Sequence, residues 1–236
     1  PSEELRVIGI DAISIRKGHP YAIVVADLDQ KRPLWLGGQG RTEKDMALFY
    51  EVMGEKRGTS IPLAVMDMWK PFRKSTLANA PHARIVYDKF HIMKHLSDAL
   101  DEVGRSEYKR ASEKDKRFIK GQRYTLLSHK SNLDLKGQKA LEMLLKANKR
   151  LHKAYLLKES FGQLWDYGNP TWARKFFDNG KAQLRWQRLT SFEKFADLIE
   201  KHGDGIISDC HPVHKASLGF MEGLNNKIRL IQRRAY

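Results

Sequence analysis

Two short apolar runs near the middle of the chain each end at an aspartate. The runs are Leu63–Met66 and Arg84–Tyr87, and the aspartates that follow them are Asp67 and Asp88. Apolar runs of this length predict buried strands, and the prolines between them mark the start and stop of a helix. The strand–helix–strand unit places parallel strands in one sheet. Ligands of such sheets bind beyond the carboxyl ends of the strands, where both aspartates lie.

The first third of the chain predicts three further strands and a helix. The strands span Arg6–Ile15, Tyr21–Ala26 and Pro33–Leu36, and the close turns between them favour an antiparallel meander. Thr42–Asp45 resembles a capping box, followed by an apolar stripe at helical spacing that ends near Gly58. The order of elements therefore predicts an α/β fold with a mixed five-stranded sheet flanked by helices.

After His91 the pattern becomes helical and rich in lysine and arginine, with no convincing strand as far as Lys201. The predicted helices cover Lys136–Lys149, Leu151–Tyr167, Pro170 to about Leu189, a segment opened by Thr190–Glu193, and Ala216–Arg234. We therefore divide the chain into a first core segment at 1–97, an all-α insertion at 98–210, and a final core helix at 211–236.

The charge of the chain indicates a polyanionic partner. Its 236 residues carry 43 Lys and Arg against 28 Asp and Glu, a formal net charge of +15. Nucleic acid is the first expectation, and an anionic membrane surface is the alternative. No apolar run approaches the roughly 20 residues that a membrane-spanning helix needs. The single Cys210 fits a reducing cytosol, and the start at Pro1 leads us to expect a fragment of a longer protein.

Four acids occupy positions that suggest chemistry. Asp11 interrupts an apolar strand, Asp67 and Asp88 end strands, and Glu222 lies on the last predicted helix. A carboxylate inside an apolar strand is costly to bury unless it is paired or binds a cation. Converging carboxylates in a basic protein suggest a two-metal phosphoryl-transfer site holding Mg²⁺. The residues alone do not decide between this hypothesis and the alternative that the acids form salt bridges and helix caps.

The last helix combines an acid with potential phosphate ligands. At helical spacing, the side of the helix that carries Glu222 also carries Asn225, Asn226, Arg229 and Arg233. An apolar face formed by Leu224, Ile228 and Ile231 is expected on the opposite side. Amide and guanidinium groups in one stripe suit phosphate binding.

Two further groups of residues leave alternatives open. Asp88, His91 and His95 have a spacing that zinc could use, but no Cys or further strong ligand follows nearby. Asp88 and His91 are therefore expected to hydrogen-bond each other or the backbone and to shape the strand–helix corner near Asp67. Trp165, Trp172 and Trp186 lie among basic helices and could stack on unpaired bases, although aromatic residues at helical spacing are more often core.

Seven stretches together resemble the ISL3-type transposases of bacterial insertion sequences. The stretches are Ile8–Asp11, Ile15–His19, Met66–Trp69, Arg84–His91, Tyr155–Glu159, Leu164–Tyr167 and Glu222–Ile228. The resemblance covers nearly the whole chain in the right order. It implies an RNase H-like fold with a DDE catalytic triad and a helical insertion between the second Asp and the Glu.

Carried onto this chain, the resemblance implies that the triad and metal ligands are Asp11, Asp67 and Glu222. Asp88 and His91 match a supporting Asp-x-x-His motif, although Asp88 also remains a candidate for the second Asp. Ala12 stands where many relatives carry an acid, which leaves the triad intact.

The implied function is Mg²⁺-dependent cleavage of DNA at the element ends, with Mn²⁺ as a substitute metal, followed by strand transfer into target DNA. DNA contacts are expected from Asn225, Asn226, Lys227, Arg229 and Arg233. We expect a homodimer or higher oligomer on DNA, no membrane partner, and a location in the bacterial cytoplasm. Two alternatives are an RNase H-like nuclease without strand transfer and a non-catalytic DNA-binding derivative.

Overall fold

The computed structural model describes residues 5–15, 21–184, 186–209 and 218–234. The chain divides into two units, of which the first comprises Pro1–His91 and Asp204–Tyr236 and the second Ile92–Gly203. Within the described ranges, no helix is both long and apolar enough to cross a membrane.

A five-stranded mixed sheet forms the centre of the first unit, as predicted. Its strands are β1 (Val7–Ser14), β2 (Tyr21–Asp27), β3 (Arg32–Gly37), β4 (Leu63–Met66) and β5 (Arg84–Tyr87). They lie in the order β3-β2-β1-β4-β5. The first three strands pair antiparallel, while β4 pairs parallel with both β1 and β5. This α/β sheet with flanking helices is consistent with the RNase H-like fold expected from the sequence.

The helices follow the predicted order along the chain. They are α1 (Glu43–Met53), α2 (Glu55–Thr59), α3 (Lys70–Asn79), α4 (Lys89–Arg110), α5 (Glu113–Ile119), α6 (Arg123–Leu127), α7 (Leu135–Ala147), α8 (Lys149–Gly162), α9 (Pro170–Leu184), α10 (Thr190–Lys201), α11 (Gly203–Asp209) and α12 (Gly219–Arg234). Short 3₁₀ helices lie at Lys130–Asn132 and Gln163–Asp166.

The helix predicted to end near Gly58 is two helices in the structure. Its start is as expected, because Thr42 and Asp45 form the reciprocal capping box. Gly54, however, has a φ of 78°, a left-handed conformation that no continuous α-helix contains. The backbone therefore ends α1 at Met53 and begins α2 at Glu55.

The register of the sheet aligns three aspartates. Ile10 of β1 pairs with Met66 of β4, and Met66 pairs with Tyr87 of β5. The three positions that come next along these strands are all aspartates: Asp11, Asp67 and Asp88. Because the strands are parallel, this places the aspartates side by side across β1, β4 and β5.

One face of the sheet is covered by α12. Leu218 and Met221 belong to the same buried cluster as Ile13, Val24 and Val65 of the sheet. Side chains alternate between the faces of a strand, so the residues of this cluster mark the face on which α12 packs. The first turns of α12 are therefore anchored against the strands that carry the aspartates.

The described residues of the second unit form helices and connecting loops, with no strand. Its core is built on aromatic contacts, in which Phe161 packs against Phe177 and Phe195 with ring centroids 6.2 and 5.5 Å apart. An ion pair links the exposed Arg123 to the buried Asp101, and the Arg123 guanidinium donates two hydrogen bonds to that carboxylate, at 2.7 and 3.1 Å.

The core interpretation of the three tryptophans is right for Trp165 and wrong for the other two. Trp165 is buried, whereas Trp172 and Trp186 are 57% and 85% exposed. On α9 the buried stripe runs through Ala173 and Phe177, and Trp172 lies one residue, about 100°, away from it. Trp186 lies beyond the end of α9, where helical periodicity no longer applies.

Candidate active site

Asp11 lies in the middle of β1 and is half-buried. Its Oδ1 accepts a hydrogen bond from the backbone N–H of Ala12 at 2.7 Å, and its Oδ2 accepts one from Nδ2 of Asn225 at 2.6 Å. Burial raises the pKa of Asp11 above its ordinary value, and the nearby charge of Asp67 raises it further. A cation bound at this carboxyl would favour its ionised form.

Asp67 follows β4 directly and is also half-buried. Its Oδ1 accepts a hydrogen bond from the backbone N–H of Trp69 at 2.9 Å, and within the described ranges it accepts no other. The charge of Asp67 acts on the pKa of Asp11 on one side and of Tyr87 on the other. Asp67 therefore keeps acceptor capacity next to a second carboxylate.

Asp88 occupies a more enclosed position than Asp67. Its side chain is 5% exposed, and it accepts hydrogen bonds from the backbone N–H groups of Phe90 and Leu218. Burial raises the pKa of Asp88, the charge of His91 lowers it, and the charge of Glu222 raises it. Through these bonds Asp88 connects the start of α4 to the start of α12.

The charge of His91 lowers the pKa of both Asp11 and Asp88. The imidazole of His91 therefore lies near both carboxyl groups. Its Nδ1 is buried and has no hydrogen-bond partner among the described residues. Among the described residues, Asp88 hydrogen-bonds the backbone, one of the two expected arrangements, and interacts electrostatically with His91.

The charge of Asp67 raises the pKa of Asp11, and the charge of Glu222 raises the pKa of Asp88. No three His, Cys, Asp or Glu side chains in the described parts of the chain converge closely enough to enclose one metal ion. The zinc alternative at Asp88, His91 and His95 therefore gains no support, and the predicted triad is not a closed three-ligand cluster.

The last helix presents its faces differently from our expectation. Asn225 is 4% exposed and points towards Asp11, whereas we placed it with the phosphate-binding side chains; Ile231, which we placed on the apolar face, is exposed. The buried stripe runs through Leu218, Met221 and Asn225, at spacings of three and four residues. The apolar face is therefore rotated towards Met221.

The other predicted residues of α12 are exposed. Glu222, Asn226, Lys227, Arg229 and Arg233 all reach solvent. Arg229 donates a hydrogen bond to Oδ1 of Asn226 at 3.4 Å. The helix thus directs the Asn225 amide towards the sheet and exposes the Asn226 amide together with three cationic side chains.

The structure also reveals a cluster that the sequence reasoning missed. The guanidinium of Arg41 lies over the rings of Tyr21 and Trp69, with its Cζ 3.9 and 4.6 Å from their centroids. The three residues come from separate segments of the chain, so no local spacing signals them. The burial of Asn225, by contrast, could have been predicted from the sequence, because Asn225 lies at helical spacing from the apolar residues Leu218 and Met221.

Comparison with known proteins points to one family. The DDE_Tnp_ISL3 family, described as "Transposase", matches residues 8–236. The transposase for insertion sequence element IS1001 of Bordetella parapertussis is 31% identical over 236 residues, covering 99% of this chain and 57% of the relative. The transposase for IS1557 of Mycobacterium tuberculosis is 28% identical over 255 residues, covering 98% and 56%. The chain thus spans little more than half the length of these relatives.

Proposed function

Because the chain belongs to the ISL3 family of DDE transposases, we propose that it carries the centre at which a transposase cuts DNA at the ends of an insertion sequence and joins the freed 3′-hydroxyl to target DNA. The observation that carries this proposal is the juxtaposition of Asp11 and Asp67 on adjacent parallel strands, each still able to accept further bonds. Ligands of parallel sheets bind at this edge.

The donor set fits Mg²⁺. Carboxylate oxygens are the ligands that this hard cation prefers, and Mg²⁺ keeps several waters and needs only one or two protein carboxylates. Pairs of acids therefore suffice, and a closed cluster of three is not required. We assign Asp11 and Asp67 as the principal ligands and Glu222 as the acid contributed by α12, with Mn²⁺ able to replace Mg²⁺. When bound, the metal would activate the attacking oxygen and neutralise charge on the phosphate.

Asp67 is preferred over Asp88 as the second acid. Asp88 is buried, and its oxygens accept backbone N–H groups of Phe90 and Leu218, which supports a structural role. Asp67 is less buried and accepts only the N–H of Trp69 among the described residues. Asp88 and His91 then brace the corner between β5 and α12, next to the reacting groups.

The remaining residues of α12 divide between positioning and DNA binding. Asn225 holds the Asp11 carboxylate through its Nδ2. The exposed Asn226, Lys227, Arg229 and Arg233 bind the phosphate backbone, with an affinity that falls as salt rises and depends little on sequence. Because two element ends must be processed together, the active form on DNA is a homodimer or higher oligomer of the longer protein, in the bacterial cytoplasm.

The test is cleavage of element-end DNA by the full-length transposase. We expect cleavage and strand transfer that require Mg²⁺ or Mn²⁺ and are lost in Asp11→Ala, Asp67→Ala and Glu222→Ala. Cleavage that survives Asp11→Ala would contradict the mechanism. Cleavage without joined product would favour an RNase H-like nuclease, and tight DNA binding without cleavage would favour a non-catalytic derivative.

A further inference from the structure

Arg41 forms a cation–π cluster with Tyr21 and Trp69 in the first unit. The guanidinium carbon is 3.9 Å from the Tyr21 ring centroid and 4.6 Å from that of Trp69, and both rings are exposed. The indole N–H of Trp69 donates a 2.7 Å hydrogen bond to the backbone oxygen of Arg41. No carboxylate in the described ranges lies within salt-bridge distance of this guanidinium.

The cluster lies at the sheet edge that carries the acids. Tyr21 pairs with Ser14 at the carboxyl end of β1, three residues beyond Asp11. Trp69 lies two residues after Asp67, and its backbone N–H is the group that Asp67 Oδ1 accepts. Trp69 therefore connects Arg41 to a proposed metal ligand through two hydrogen bonds.

The chemistry of this cluster suits a phosphate. A cation–π contact engages the faces of the rings and leaves N–H groups of the guanidinium able to donate. A guanidinium presents these donors in a planar fork that matches a phosphate with two parallel hydrogen bonds. Contacts with two rings restrict the position of this guanidinium in advance, so less side-chain entropy is lost when an anion binds.

We propose that Arg41 binds a backbone phosphate of the DNA strand beside the scissile phosphate, with Tyr21 and Trp69 holding its guanidinium in place. The proposal rests on the proposed function for its substrate, and goes beyond it by adding a phosphate site outside α12. Because Trp69 contacts both Arg41 and Asp67, the bound strand is aligned with the acids as well as held.

The test compares DNA binding by full-length transposase and its Arg41→Gln variant, with metal chelated so that no strand is cut. The slope of log K against log salt is negative, and loss of one phosphate contact reduces its magnitude by about 0.9. Loss of a hydrogen bond to a charged group weakens binding by roughly 10- to 100-fold, equally for element-end and unrelated duplexes. Arg84→Gln is the matched control, because exposed Arg84 begins β5 at the opposite edge of the sheet, and it should leave the slope unchanged.

A second variant keeps the test decisive if Arg41→Gln fails to fold. Arg41→Lys retains the charge but loses the planar fork, so it should keep the salt slope and still bind more weakly than wild type. Wild-type slope and affinity in both variants would overturn the phosphate site while leaving the proposed function standing. A full-length protein that binds no DNA at any salt concentration would overturn both.

Discussion

Replacing Asn225 by leucine distinguishes the contribution of this residue to folding stability from its contribution to the proposed metal site. Nδ2 of this buried amide donates a 2.6 Å hydrogen bond to Asp11, and losing a hydrogen bond to a charged group costs roughly 1.5–3 kcal/mol. Oδ1 of Asn225 is buried without a partner among the described residues, and removing such an acceptor recovers roughly 1–3 kcal/mol. Burying the leucine side chain adds a favourable contribution of about 1.5 kcal/mol.

These contributions nearly cancel, so we expect Asn225→Leu to leave the free energy of unfolding unchanged or to raise it by about 1 kcal/mol, a shift of about 2–4 °C in Tm. Activity should respond differently. A residue that orients a metal-ligating side chain contributes about 10- to 100-fold in metal affinity or activity. We therefore expect the Mg²⁺ concentration for half-maximal cleavage to rise by that factor.

The measurements are urea unfolding and a Mg²⁺ titration of element-end cleavage by the full-length protein. Asn226→Leu is the control, because it removes the same amide one residue away on the exposed side of α12. It should weaken DNA binding without moving the Mg²⁺ requirement. An Asn225→Leu protein that loses more than about 2 kcal/mol of stability and keeps its Mg²⁺ requirement would refute the reasoning.

Three further predictions follow from the same structure. Asp67→Asn should abolish cleavage with Tm preserved, while Asp88→Asn should lower cleavage by no more than about 100-fold; the reverse ranking would exchange their roles. Burial raises the pKa of Asp11 and Asp88 above 3.8, so the stability they contribute is present below that pH and is lost as pH rises through their raised values. Urea unfolding of the metal-free protein from about pH 4 to 7 should therefore show a smaller loss in Asp11→Asn than in wild type, and an equal loss would contradict the burial argument. Burial raises the pKa of Tyr50 to about 12 from 10.0, so the free energy of unfolding should fall as pH rises between these values. Tyr50→Phe should reduce that fall and should cost about 1 kcal/mol at neutral pH, because the hydrogen bond to Thr76 is lost. An unchanged fall would show that another group causes it.

The sheet and the positions of the acids were predictable because they depend on local patterns. A run such as Leu63–Met66 is apolar at every position, which is typical of a strand buried on both faces, and it stops where Asp67 meets water. Asp11 was predictable for the opposite reason, because an acid interrupts an apolar strand there and is costly to bury. Both signals come from a few consecutive residues.

What the sequence did not reveal depends on contacts between distant segments or on single backbone angles. Asn225 and Asp11 lie 214 positions apart, and only the packing of α12 shows that the amide turns towards the sheet. Glycine tolerates helical as well as left-handed angles, so Gly54 alone did not fix the end of α1. Exposed Trp186 is apolar like a core residue, and only the end of α9 explains its exposure.

The most direct test of the central claim is a crystal structure of the transposase soaked in Mn²⁺, with the metal located by its anomalous scattering. We predict manganese between the carboxylates of Asp11 and Asp67, with Asp88 still bonded to the backbone of Phe90 and Leu218. Manganese held by Asp11 and Asp88, with Asp67 turned away, would contradict the assignment of the second catalytic acid.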